Sequence, residues 1–454
     1  MKVFNMLVLM SFILGCLAWG GCGSDPSDIS GNENTAGDAD TDTDGDADTD
    51  IDGDADTDTD GDADTDTDGD TDTDTDGDAG TSTPPSVAVY VSYSTSSKEY
   101  FTFANNESGI WEIEESEIRG DRSSLAFNSN GKARVGYGSY SYNINRGLPK
   151  ISRGPLCLRK DQGWKSIIAG TSGVFPSLAI DSSDNVHMVY KEEQPIPYYN
   201  AICSFPGSLM YSTNKNGQWQ WSKIEDVYAE GCTLSMGLDN SDSIHVSYFS
   251  YSNECLAYVT NSTGAWVETM IDSDPDPDIY IGIHNDLALD SQGNVHIGYN
   301  YAVGDGTGPT INTLSKELRY TTNKSGEWVT ATLDTGYLLG HDLSIAVDSN
   351  DYVHIVYIIK HRQENDDHRT AIGYVTNASG AWEIVELETE DVMADSPSIA
   401  LDSMDKLHIV YAAFLESDPA QHRLRYATNM SGDWAASTID DITYYSYPSI
   451  ALKE

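Results

Sequence analysis

The chain has 454 residues, with 73 acidic against 25 basic side chains and a net charge of −48 at pH 7. An acidic excess of that size excludes two function classes. Nucleic-acid binding rewards clustered Lys and Arg, and an anionic membrane surface repels such a chain. Hydrophobic residues make up 39% of the whole, but composition shifts so sharply along the chain that the totals conceal three segments.

The first segment, 1–21, reads as an export signal. Lys2 supplies the positive start, and the apolar run from Met6 to Leu17 is short for a membrane span. Small residues follow, then cysteine: Trp19-Gly20-Gly21-Cys22. That run resembles the lipobox of bacterial lipoproteins, in which the cysteine thiol is acylated and becomes the mature N-terminus. Cys22 is preferred. Ile13-Leu14-Gly15-Cys16 also fits, but processing at Cys16 would leave an apolar Leu-Ala-Trp stretch dangling. The resemblance implies an exported, lipid-anchored protein, in the periplasm or at the outer membrane or cell surface.

The second segment, 22–85, is a tether. From Asp38 to Asp78 every even-numbered residue is Asp, spaced by Thr, Ala, Gly and one Ile. Residues 25–80 carry 24 acidic side chains and no Lys or Arg, leaving a net −25 for 81–454. With almost nothing apolar to bury, such a stretch cannot offset the entropy of folding and is expected to be disordered. The tether also repeats Asp-x-Asp-x-Asp-Gly, the opening half of a calcium loop with hard oxygen ligands at alternate positions. The candidate ligands are Asp40, Asp42 and Asp44; Asp48, Asp50 and Asp52; Asp56, Asp58 and Asp60; Asp64, Asp66 and Asp68; Asp72, Asp74 and Asp76. Counting from Asp48, the twelfth position holds Thr59 where a bidentate Glu should close the shell. At most, weak Ca²⁺ association is expected, with a dissociation constant on the order of 10⁻⁴–10⁻³ M. No other cofactor is implied.

The third segment, 86–454, is built from an internal repeat. Ser177-Leu-Ala-Ile-Asp-Ser-Ser-Asp-Asn-Val-His-Met-Val-Tyr190 matches Ser398-Ile-Ala-Leu-Asp-Ser-Met-Asp-Lys-Leu-His-Ile-Val-Tyr411, and related copies begin at Ser124, Ser235, Asp286 and Ser344. A second pattern follows each, as in Leu256-Ala-Tyr-Val-Thr-Asn-Ser-Thr-Gly-Ala-Trp266. Each half reads as two short β-runs around a polar turn. One repeat is thus four strands, a–b–c–d, the size of a propeller blade. Trp111, Trp164, Trp219, Trp266, Trp328, Trp382 and Trp434 mark strand d, and Tyr93, Tyr137, Tyr190, Tyr248, Tyr299, Tyr357 and Tyr411 mark strand b. Both marks recur seven times. The domain opens on a strand b at Ser86–Tyr93 without an a, while Pro448–Glu454 is a lone a. The expected fold is therefore an all-β, seven-bladed β-propeller, closed by the C-terminal strand a joining the N-terminal b-c-d.

The combined pattern, P-S-[IL]-A-[LV]-D-S…[VL]-H-[IV]-x-Y…T-N-x-S-G-x-W, resembles bacterial propeller repeats of the BNR/Asp-box group. The turn Thr260–Trp266 is similar to a degenerate Asp box with Asn in the Asp position. The resemblance covers nearly all of 86–454. It implies a propeller, and it does not fix a function.

Three recurring residue types invite chemistry but read as architecture. His187, His245, His296, His354 and His408 share one strand-b position and would be spread around the ring, which fits structural hydrogen bonding. Asn261, Asn323, Asn377 and Asn429 begin nominal glycosylation sequences, yet their place before the c–d glycine fits turn capping. Cys157, Cys203, Cys232 and Cys255 are disulfide candidates in an oxidising compartment. Four cysteines allow three pairings: Cys157–Cys203 with Cys232–Cys255 is one, and a Cys203–Cys232 bridge belongs to another.

Positions that differ between repeats are the ones free to carry a function. Two residues before the repeat's Ser, at the expected channel mouth, the ring reads Arg122, Phe175, Thr233, His284, Asp342, Ser396 and Tyr447. A cation, an imidazole, a carboxylate and two aromatics suit a polar ligand. The expected ligand-binding set is Arg122, Phe175, His284, Asp342 and Tyr447. The reading that follows is a binding or scaffold propeller, expected to be a monomer, for a glycan or a protein. A carbohydrate-active enzyme of sialidase or polysaccharide-lyase type and a Ca-responsive adhesin are the alternatives. The arginine trio of a sialidase site is absent from the inner-strand starts, where Arg122 stands alone.

Overall fold

The computed structural model describes residues 87–453 except 96–99, 120, 139–140, 144–147, 151–155, 161–163, 171–172, 194–206, 228–232, 251–252, 277, 304–313, 337–341, 363–367, 388–391, 416–420 and 443–446. Contacts divide the chain into two units, Met1–Asp76 and Gly77–Glu454, and every described residue lies in the second. The lipidation candidates Cys16 and Cys22, and all the tether aspartates, lie outside the described residues.

The described residues are all-β, without helix, in a β-propeller arrangement. Their strands form seven four-stranded antiparallel sheets. Five are built from four successive strands, such as Leu234–Leu238, Ile244–Ser250, Cys255–Thr260 and Val267–Asp272. A sixth, Asp121–Phe127, Ala133–Gly138, Leu156–Lys160 and Trp164–Ile168, is interrupted by the two-stranded sheet of Ser141–Asn143 and Leu148–Lys150. The seventh is composite: Ala88–Thr95, Tyr100–Asn105 and Glu112–Arg119 are completed by Ser449–Lys453 from the far end of the chain. Register pairs Ala88 with Lys453 and Ser92 with Ser449. The expected exchange of one surplus strand for one missing strand is therefore present.

Three layers of contact run from sheet to sheet. Strands a touch their neighbours in sequence: Asp121–Phe127, Gly173–Ile180, Leu234–Leu238, Ile279–Leu289, Leu343–Val347, Val392–Leu401 and Ser449–Lys453, which meets Asp121–Phe127 again. The repeat's Ser ties them. Its hydroxyl accepts a hydrogen bond from the next strand a, as in Leu178 N to Ser124 Oγ at 3.0 Å, Met236 N to Ser177 Oγ at 3.0 Å and Leu287 N to Ser235 Oγ at 3.1 Å. Asp286 replaces Ser and accepts from Ile345 N at 2.9 Å. Ile399 N to Ser344, Ile450 N to Ser398 and Leu125 N to Ser449 complete the circuit.

Apolar clusters fill the spaces between sheets, because strands b and c are buried on both faces. One joins Val189 and Leu209 to Met236 and Val246; another joins Val89 and Val91 to Val410 and Leu424. Strands d face solvent on one side, leaving Met270 and Val329 exposed. At the third layer, the a–b turns interlock. Asp184, Asp242 and Asp405 hold left-handed φ of 59–66°, a conformation Asp tolerates. Each accepts from the backbone NH and hydroxyl of a Ser in the preceding turn: Ser129, Ser182 and Ser349.

The His positions are structural, as the repeat suggested. In five sheets the ring's Nδ1 meets a strand-c Tyr hydroxyl at 2.6–2.7 Å: Tyr211, Tyr258, Tyr320, Tyr374 and Tyr426. Nε2 faces Asp181, Asp239, Asp290, Asp348 or Asp402 at 3.1–3.5 Å. Each of those Tyr rings packs edge-on against the strand-d Trp of the following sheet, as Tyr258 does on Trp328. The Asn residues are also architectural. Asn261 Oδ1 accepts from Ile244 N at 2.7 Å, and Asn323, Asn377 and Asn429 repeat the bond at 2.8 Å. The left-handed backbone of these turns falls on Gly264, Gly326, Gly380 and Gly432 rather than on Asn.

Cys255 opens a strand c as a free, buried thiol, so the structure does not seat it in a bridge. Burial, with Glu268 and Asp272 nearby, pushes that thiol up to about 11, away from reactivity. Cys203 and Cys232 lie outside the described residues, and of Cys157 only the backbone is described, in strand Leu156–Lys160.

Candidate functional site

Strands a begin irregularly, and the irregularity positions the site. Register breaks between Asp121 and Ser123, between Val174 and Ser177, between Ile281 and Asn285, and between Asp395 and Ser398. Such bulges leave one or more residues out of the ladder and re-aim their side chains. Arg122, Phe175 and Ser396 sit in these breaks with φ of 49°, 54° and 49°. A left-handed φ on bulky residues costs energy and clusters where function requires it. All three occupy the same repeat position.

The seven ring residues assemble into two linked sectors. In the first, the Arg122 guanidinium lies 3.7 Å from the Tyr447 ring centre and 4.7 Å from that of Phe175. Contacts at that range are attractive through the ring quadrupole. In the second, Thr233 Oγ1 donates to the Ile283 carbonyl at 2.9 Å and accepts from Asn285 N at 2.9 Å, fixing the backbone on both sides of His284. His284 N donates to Asn300 Oδ1 at 2.9 Å. His284 Nδ1 then lies 3.0 Å from Asp342 Oδ1, with the two side chains 12% and 14% exposed. Ser396 Oγ donates to Asp342 Oδ2 at 3.1 Å. All five residues of the expected ligand set are thus drawn into one sector or the other.

Asp395 was not singled out in the sequence, yet it belongs here. The Ser396 hydroxyl lies 3.3 Å from Asp395 Oδ1 as well as 3.1 Å from Asp342 Oδ2, so one hydroxyl brings the two carboxyls together. Burial, then the charge of Asp342, pushes Asp395 up to about 7. The signal in the sequence was an Asp in front of the ring position, as Asp121 is in front of Arg122, and nothing local showed that a bulge would bring Asp395 toward Asp342. Chemically, the second sector is an imidazole held against one of two carboxyls that a single Ser hydroxyl reaches. The first is a cation lying against aromatic faces. Among the described residues, no group of His, Cys, Asp and Glu is arranged to hold a metal ion.

No family model matches this chain, and no curated protein matches it. Among solved structures, a polysaccharide lyase of family PL25, an ulvan lyase bound to -[GlcA(1-4)Rha3S]-, is similar with a TM-score of 0.51 and 12% identity. The match covers 71% of this chain and 86% of that one. A second structure of a PL25 ulvan lyase gives a TM-score of 0.50 at 11% identity with the same coverage. The likeness is one of fold.

Proposed function

We propose that this chain is an exported, lipid-anchored protein whose seven sheets are the blades of one closed propeller, and that the rim formed by its strand-a starts binds a glycan. The seven-blade reading is supported by the Ser/Asp circuit, which returns from Ser449 to Leu125 and leaves no sheet outside it. Kinship with BNR/Asp-box repeats is supported by the recurring Asn–Gly turn before six of the seven strand-d Trp residues.

One observation carries the binding reading. Residues that differ from blade to blade recur at one strand-a position, where the backbone takes a left-handed φ at Arg122, Phe175 and Ser396. Aromatic rings and a guanidinium suit the apolar faces and hydroxyls of a sugar, and the carboxyl pair can both donate to and accept from hydroxyls. The fold neighbours include a lyase whose structure holds a sugar polymer, which agrees with this class of ligand. Screening the purified protein against neutral and acidic polysaccharides, for binding and for product release, tests the reading. Binding that weakens at least about tenfold in Arg122→Ala is expected; a panel without any binder would sink it.

A second reading, glycan cleavage, is favoured by the His284–Asp342 contact. A carboxylate that orients an imidazole equips it as a general base. Release of cut product in the same screen, abolished in His284→Gln, would establish that reading over simple binding.

A further inference from the structure

The binding reading gives the Asp342 and Asp395 carboxyls a role toward sugar hydroxyls and assigns none to the proton they hold between them. These residues belong to neighbouring sheets: Asp395 to strand Val392–Leu401, and Asp342 to the residue before strand Leu343–Val347. A hydrogen bond between two carboxyls exists only while one of them keeps a proton. Two like charges at that separation cannot both ionise without a large cost. The Ser396 hydroxyl, within 3.3 Å of both carboxyls, holds the two acids of neighbouring sheets close enough to share one proton.

We propose that this shared proton controls the rim's grip on its glycan, so that affinity is high while the proton is held and falls when it leaves. The proposal rests on the reading of the rim as the glycan site. In the protonated state the pair offers a donor and an acceptor to sugar hydroxyls and carries one negative charge. In the deprotonated state it offers acceptors only, carries two, and pushes the strands apart where the ladder is already broken between Asp395 and Ser398. Ser396, left-handed within that break, is the residue whose backbone can yield.

The surroundings determine the pH at which this occurs. On its own strand Asp395 meets the backbone NH and the hydroxyl of Ser396. The paired strand Leu407–Leu415 places Ala412 opposite it. From the preceding sheet comes Asp342, to which Ser396 also donates. On the far side of Asp342 stands His284, and Ile358 N donates to the Asp342 carbonyl at 3.2 Å. Burial and the Asp342 charge both favour the protonated form of Asp395, to about 7. A carboxyl raised in the folded state costs stability above its unfolded value near 3.9, increasingly until the folded value is passed. The folded protein should therefore lose stability through this group between about pH 4 and 7 and recover none of it at higher pH.

Two measurements on the full chain test the proposal, comparing wild type with Asp395→Asn between pH 5.5 and 8.5. The first is ligand-free: melting temperature and potentiometric proton uptake. Asp395→Asn should melt above wild type at pH 8.5, by a margin that narrows toward pH 5.5, and bind one proton fewer across neutrality. His284→Gln should keep the wild-type proton step, which excludes the imidazole as its source. The second is affinity for the polysaccharide selected by the panel. Wild-type affinity should fall roughly tenfold per pH unit above the transition, and Asp395→Asn should be flat. Superimposable melting and proton-uptake curves would overturn the proposal whatever the panel shows. A clear proton step with no glycan bound at any pH would overturn it by removing the site, and so locate the failure in the rim reading. Should Asp395→Asn fail to fold, Asp342→Asn interrupts the same pair from the other side and carries the same expectations.

Discussion

His408 illustrates how a side chain that invites chemistry is consumed by structure. Its ring is fully buried, with Nδ1 at 2.7 Å from the Tyr426 hydroxyl and Nε2 at 3.5 Å from Asp402. A neutral ring protonated on Nε2 satisfies both, since Tyr donates to Nδ1 and the ring donates to the carboxylate. Burial lowers the pKa of His245, His296, His354 and His408 against the opposing pull of the facing Asp. A base held down in this way costs no stability above its unfolded value near 6.5, and the cost grows as pH falls below that. Asp181 and Asp290 act in the same direction. Burial works to raise them, but hydrogen bonds led by Asn185 and Asn294 outweigh it and hold both at about 2. Their contribution is present above pH 4 and lost toward pH 2. Acid unfolding should thus begin below about pH 6.5 and steepen below pH 4, as followed by circular dichroism. His408→Ala should cost about 2–3 kcal/mol in urea denaturation, because Tyr426 and Asp402 lose a buried partner. The double replacement His408→Leu with Tyr426→Phe should recover part of that loss.

At the scale of elements, the repeat made the strands and turns legible while hiding their breaks. Ser, Asp, His and Tyr recur at fixed spacing because each makes the same bond in successive sheets, so the pattern reports the ladder directly. The rim is different. Whether Arg122 or Ser396 adopts a left-handed φ depends on what the neighbouring sheet presents, and that information is absent from the local sequence. Thr233 and Asp342 share the ring position with them and are not among the left-handed residues. This is why Arg122, Phe175, His284, Asp342 and Tyr447 could be assigned to one repeat position, whereas the approach of Asp395 to Asp342 could not be read. The Asn turns supply a test at this scale. Asn377 Oδ1 accepts from Val353 N at 2.8 Å, where the strand starts from a buried residue. Asn377→Ala should therefore cost about 1–2 kcal/mol without altering glycan binding. Asp286→Ala should cost more, since Asp286 receives Ser235, Leu287, Ser344 and Ile345 from three adjacent strands a. An Asp286→Ala variant that melts at or above Asn377→Ala would contradict this order.

For the whole molecule, the arrangement depends on a strand brought from the opposite end of the sequence. Ser449–Lys453 covers the edge of Ala88–Thr95, buries Ile450 in the cluster with Val89 and Val410, and gives Leu125 N its acceptor on Ser449. Lys453 Nζ adds a pair with Glu107 at 2.7 Å, which is exposed and contributes little. Removing residues 448–454 therefore has two separable effects. Burial of Ile450 alone is worth about 1.5–3 kcal/mol, so the melting temperature should fall by several degrees. The uncovered strand, with unpaired NH and CO groups on an otherwise apolar segment, should also recruit another chain. Size-exclusion chromatography of the truncated protein should show dimers and larger species where Ser449→Ala stays at the wild-type elution volume. A synthetic peptide spanning 447–454, added in excess, should pair along Ala88–Thr95 and return the truncated protein to the wild-type elution volume. Normal elution without the peptide would mean that the edge is protected by other residues and that closure does not depend on this strand.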